Sequence, residues 1–160
     1  LIYRLSNIRQ LMDLHSSCIS QLIVERFIAS GEMEKYLSLI RREYREEKGK
    51  MIDALKTYAP PGLTWNHPDG GYYLWCRLPE GLPADLLATQ AAQNGVAVLP
   101  GTPFYLPGQK GENYSRLNYT FPPRNRITEG IRVLCEVIRK LTVSEKEDGA
   151  LSDGEISPIL

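Results

Sequence analysis

The hydrophobic period of this chain switches from helical to alternating near residue 63 and is helical again from residue 127. A sequence that carries both periods must build helices and strands and pack them in layers. Leu1, Leu5, Ile8, Leu11 and Met12 recur at helical spacing over residues 1–14. Asp13 to Ser17 then offers N-cap oxygens for a second helix that carries Ile19, Leu22, Ile23 and Phe27 on one face. Gly31 suits the left-handed turn that ends it. A long helix is predicted over 32–58, with Met33, Tyr36, Leu37, Ile40, Tyr44, Met51, Leu55 and Tyr58 as its stripe. Eight of the ten residues from Arg41 to Lys50 are charged. Their signs are mixed, which marks a solvated helix face rather than a binding patch. Pro60-Pro61-Gly62 stops this helix.

Residues 63–67 and 71–78 are rich in aromatics and read as paired strands across Pro68-Asp69-Gly70. A short helix at 84–94 ends at Gly95, and Val96-Ala97-Val98-Leu99 reads as a short buried strand. Pro and Gly make 101–113 a loop. Residues 114–121 alternate, with Ser115, Leu117, Tyr119 and Phe121 on one face and Tyr114, Arg116, Asn118 and Thr120 on the other. The apolar set faces the core, so Arg116 and Asn118 stand on the polar side. Pro122-Pro123 opens the last helix, whose stripe is Ile127, Ile131, Leu134, Ile138 and Leu141. The expected fold is α/β in the α+β sense: two layers, a small and mostly antiparallel sheet covered by helices. Residues 144–160 are acidic and aperiodic and read as a disordered tail.

Composition excludes several functions. Lys and Arg number 19, as do Asp and Glu, so the net charge is zero. Binding nucleic acid through its phosphates needs a basic surplus. His15 and His67 lie far apart in sequence, and Cys18, Cys76 and Cys135 form no CxxC pair, so no metal site is expected. The cysteines read as buried hydrophobes in a reducing cytoplasm. No apolar run reaches the length of a membrane helix. The chain opens at Leu1, without Met and inside helical sequence, as an excised fragment would.

Four segments are more specific. Gly70-Gly71-Tyr72-Tyr73-Leu74-Trp75 with Leu78-Pro79-Glu80-Gly81 resembles the small-domain hairpin of class I/II aminotransferases of pyridoxal-phosphate fold type I. Gly95-Val96-Ala97-Val98-Leu99-Pro100-Gly101-Thr102-Pro103-Phe104 resembles the strand and loop that follow it. Asn113-Tyr114-Ser115-Arg116-Leu117-Asn118-Tyr119 resembles the strand bearing the substrate-binding arginine. Glu129 to Leu134 matches the final helix. The four stand in the family's order and span about residues 31–142. Met12 to Ser17 and the charged helix look most like the MocR branch of the GntR transcription regulators, or like stand-alone aminotransferases of the 2-aminoadipate type.

The resemblance implies a division into three parts. Residues 1–30 belong to a large domain lying outside this chain, 31–143 to an aminotransferase-like C-terminal small domain, and 144–160 to the tail. It implies pyridoxal phosphate and an amino acid, or its adduct with the cofactor, as ligands of the intact parent. That parent is cytoplasmic and a homodimer, and a MocR-type one binds DNA through an N-terminal winged helix not present here. Such a site needs a lysine for the Schiff base, an acid for the ring nitrogen and a phosphate cup. None of the seven lysines has the Ser-x-Ser-Lys type of context, and no catalytic or cofactor-binding residue is assigned in this chain. Arg116 is assigned the substrate carboxylate, because a guanidinium grips it through two parallel charge-assisted bonds. Asn118, Gly70 and Gly71 are assigned as residues lining that site. A module that has kept the fold and lost the site is the third alternative. Cut from its partner surface, the stripe from Leu5 to Phe27 is expected to fold onto the small domain or to pair with a second copy.

Overall fold

In the computed structural model residues 1–13, 17–106, 109 and 111–152 are described, apart from the side chains of 13 and 144–152. The chain divides into two units, Leu1–Glu43 and a second that begins at Tyr44. The division falls inside the long helix.

The first unit holds α1 (Ile2–Asp13), α2 (Cys18–Ala29) and the start of α3 (Glu32–Tyr58). Ser17 caps α2, its hydroxyl accepting from the Ser20 amide, and Gly31 ends it at φ +75°. Every described side chain of residues 1–30 is exposed, including Leu5, Ile8, Ile19, Leu22 and Ile23. Only the second half of α3 is buried, at Met51, Ala54 and Leu55.

The second unit carries a four-stranded antiparallel sheet in the order β1 (Thr64–Trp65), β2 (Tyr73–Arg77), β4 (Tyr114–Asn118), β3 (Leu99–Pro100). β2 and β4 pair over their full length, with Trp75 opposite Arg116 and Leu74 opposite Leu117. One face of this pair is the core: Leu74, Cys76, Ser115 and Leu117 are buried with residues of α3, α4 (Ala84–Gln93) and α5 (Ile127–Ser152). Ser115 is the polar member of that face, and its hydroxyl donates to the Leu99 carbonyl at 3.1 Å. The expected two-layer α+β architecture is the one observed.

Three boundaries differ from expectation. The strand read at 96–99 forms at Leu99–Pro100 instead, because the Val96 amide is already taken by the Ala91 carbonyl at the end of α4. Val96 and Val98 are half-buried rather than buried. β4 stops at Asn118, whose carboxamide oxygen accepts from both the Thr120 amide and hydroxyl. That local turn breaks the alternation, and Phe121, read as a core residue, is 87% exposed. The last helix starts at Ile127 and runs to Ser152, so the segment read as tail is helical over 144–152. The core stripe ends there, but Glu, Lys, Ala and Leu are strong helix formers in their own right. Residues 153–160, the rest of that tail, lie outside the described residues.

Of the three cysteines, Cys76 and Cys135 are buried and Cys18 is exposed, against the reading that all three are buried. Burial, and then repulsion from Cys135, pushes the Cys76 thiol up to about 12. Burial pushes Cys135 up to about 11. A thiol reagent at about pH 8 is therefore expected to label Cys18 at once, and the other two only after urea unfolds the chain. In the unfolded chain both buried thiols ionise near 9.0. Protons are thus held more tightly by the folded state, and stability is full below about pH 9 and lost as pH rises toward 12. The urea midpoint should fall over that range, and fall less for Cys76→Ala.

Candidate functional site

The sheet face opposite the core carries the candidate site. Strand alternation and register put Tyr73 and Trp75 of β2 on the same side as Tyr114, Arg116 and Asn118 of β4. This side meets the segment after β3, where a 3₁₀ turn at Thr102–Phe104 brings aromatic rings down onto the strands. Phe104 meets Trp75 edge-on, with centroids 5.6 Å apart, and Tyr105 stacks on Tyr114 at 5.7 Å. Trp75 in turn stacks on Tyr114 at 6.0 Å.

Arg116 stands among these rings. Its guanidinium carbon lies 4.1 Å from the Tyr73 ring centroid and 4.5 Å from that of Phe104. Its Nε is buried with no hydrogen-bond partner among the described residues. A guanidinium against ring faces gains a cation–π attraction but satisfies none of its N–H donors.

The loop that carries Phe104 is tied at several points. The Gly101 amide donates to the Tyr114 carbonyl at 2.7 Å, and the Phe104 amide to the Gly101 carbonyl at 2.9 Å. Thr102 reaches Asp85 of α4 at 3.3 Å. A Cβ on Gly101 would stand 2.8 Å from the carbonyl oxygens of Gly111 and Tyr114, so backbone meets backbone here with no room for a side chain.

The other expected site residues are placed differently. Gly71 has φ +92°, which favours glycine, and its carbonyl accepts from the buried Tyr119 hydroxyl at 2.6 Å. A Cβ on Gly70 or Gly71 would meet nothing within 4 Å. The Asn118 carboxamide oxygen is taken up by Thr120, and no bond from Asn118 to Arg116 is seen among the described residues. It faces a separate groove of about 560 Å³ lined by Val96, Val98, Phe121, Arg126 and Leu134, which Arg116 does not line. Phe104 and Tyr73 are the residues that sequence reasoning missed. Tyr73 had a signal, since it lies two residues before Trp75 on an alternating strand. Phe104 closes the segment that resembles the family's strand and loop, but that loop has no period to place its ring. Among the described residues no cluster of His, Cys, Asp and Glu is suited to hold a metal ion, and no helix is long and apolar enough to cross a membrane.

This helix-backed antiparallel sheet is an aminotransferase small-domain fold. The chain is 34% identical over 139 residues to aromatic-amino-acid aminotransferase 1 of Thermococcus litoralis, a match covering 87% of this chain and 33% of that protein. To the 2-aminoadipate transaminase of Thermus thermophilus it is 36% identical over 140 residues, covering 88% and 35%. It is 29% identical over 140 residues to the uncharacterized HTH-type transcriptional regulator YdfD of Bacillus subtilis, covering 88% and 28%. The solved structure of LysN, the α-aminoadipate aminotransferase of Thermus thermophilus, was determined with N-(5'-phosphopyridoxyl)-L-leucine. It superposes with a TM-score of 0.77 at 35% identity over 86% of this chain and 35% of LysN. Kynurenine aminotransferase of Pyrococcus horikoshii gives 0.80 at 32% identity over 88% and 34%. No family model matches the chain. It spans about a third of the length of the curated relatives it matches. The chain is fold-type I aminotransferase-like, with homologues among both aminotransferases and HTH-type regulators.

Proposed function

We propose that this chain is the domain that recognises the amino-acid carboxylate in a pyridoxal-phosphate-dependent protein, a MocR/GntR-type regulator in which the amino acid is an effector. The observation that carries the reading is Arg116: a partly buried guanidinium on a strand, its Nε unpartnered among the described residues, on the sheet face away from the core. A carboxylate is the anion whose two oxygens match its paired N–H donors. The described lysines do not fit a Schiff-base site: Lys35 and Lys56 pair with Glu32 and Asp53, Lys48 donates to the Pro68 carbonyl at 2.8 Å, and Lys50 and Lys140 stand exposed on helices. The groups that hold pyridoxal phosphate therefore come from the remainder of the intact protein. A homodimer belongs to the same reading, since the apolar side chains of α1 and α2 need a covering surface.

The second reading is a stand-alone aminotransferase, favoured by the higher identity to the 2-aminoadipate transaminase than to YdfD. One experiment separates the outcomes. Pyridoxal phosphate added to the 160-residue chain should give no imine absorbance, whereas the intact protein should give one that responds to amino acids. Release of a 2-oxo acid then marks the aminotransferase, and an amino-acid-dependent change in DNA binding marks the regulator. An imine band in the isolated chain, abolished by replacing one of its lysines, would overturn the assignment.

A further inference from the structure

The two rings against Arg116 are held by elements that do not depend on it. Tyr73 is fixed by β2, where it pairs with Asn118, and Tyr72 meets it edge-on at 6.1 Å. Phe104 is fixed by the 3₁₀ turn, by the Gly101–Tyr114 bond and by the edge of Trp75. Each ring is nevertheless partly open, Tyr73 at 38% and Phe104 at 49% exposure. Neither is a core residue. With two rings within 4.5 Å of its central carbon, the guanidinium has little freedom to turn. Its donors lie in its own plane, so fixing that plane fixes the direction from which a carboxylate is taken.

We propose that Phe104, with Tyr73, is a positioning residue for carboxylate recognition: the pair orients the Arg116 guanidinium before the ligand arrives, lowering the ordering cost of binding. This rests on the carboxylate reading of Arg116 given above. An arginine without such rings must be immobilised at the moment of binding, and loses affinity accordingly.

The test is heteronuclear NMR on the 160-residue chain with propionate as the probe. In the wild type the Arg116 Nε–H resonance should be resolved, shifted by the ring currents and slow to exchange. Phe104→Leu keeps apolar bulk but removes the ring. It should return that resonance to an ordinary arginine position and weaken propionate about three- to thirtyfold, the range of one cation–π contact. Phe104→Trp should restore both, which a merely structural role would not do. If Phe104→Leu does not fold, Tyr73→Leu with Tyr73→Phe as its rescue reads the same two quantities. Propionate binding unchanged by loss of the ring would overturn the proposal, as would an unshifted Nε–H in the wild type. A wild type that shows the shifted, slow Nε–H but ignores propionate would instead overturn the carboxylate reading and leave the ring clamp standing.

Discussion

Arg116→Ala in the intact protein is expected to weaken binding of the amino acid by about 2–5 kcal/mol, a loss of tens- to thousands-fold in affinity. The size follows from what is left behind: a carboxylate brought into an aromatic-walled site without its counter-charge. Arg116→Lys should recover only part of the loss. An ammonium offers a point charge in place of the in-plane pair of donors, and it is more strongly hydrated than the guanidinium held against Tyr73 and Phe104. Free pyridoxal phosphate should bind both variants nearly as well as the wild type, since its phosphate is held elsewhere. Calorimetric titration of the amino acid and of the cofactor, run separately, checks this. Equal loss of both ligands would make Arg116 a structural residue.

The second large effect is at Tyr119, which is buried at the end of β4 with 1% of its surface exposed. Tyr119→Ala should destabilise the fold by about 3–5 kcal/mol through loss of the ring and the cavity left behind. Tyr119→Phe separates the hydroxyl from the ring. It should cost no more than about 0.5–1 kcal/mol, because Gly71 is exposed and water can replace the lost donor to its carbonyl. Urea midpoints of the three proteins measure both numbers. A phenylalanine variant as unstable as the alanine one would show that the hydroxyl, not the ring, holds the glycine turn.

Much of this fold was legible because periodicity reports packing. α3 and α5 carry stripes long enough to locate them, and α3 begins and ends at the residues that Gly31 and Pro60 bracket. Arg116 was placed on the polar face of its strand by parity alone, and the β2–β4 register agrees. Parity failed five residues later at Phe121, where the side chain of Asn118 turns the backbone and ends the strand. It was silent for Phe104. That ring reaches Arg116 through contacts between segments distant in sequence, Gly101 against Gly111 and Tyr114, and no local pattern encodes them. The end of α5 was missed for the opposite reason: over 144–152 the sequence carries no apolar period to read.

β4 has one face in the core and one toward the aromatic wall, and this bears on how the sequence can drift. Ser115, Leu117 and Tyr119 answer to the interior, so a poor choice there lowers the amount of folded protein and can be rescued by any stabilising change elsewhere. Tyr114 and Arg116 answer to the wall, where, on the carboxylate reading proposed above, a poor choice leaves the protein abundant but deaf to its ligand, and no global suppressor restores hearing. Neighbouring codons of β4 thus answer alternately to two currencies of fitness, and adjacent positions on one strand can evolve under unrelated pressures.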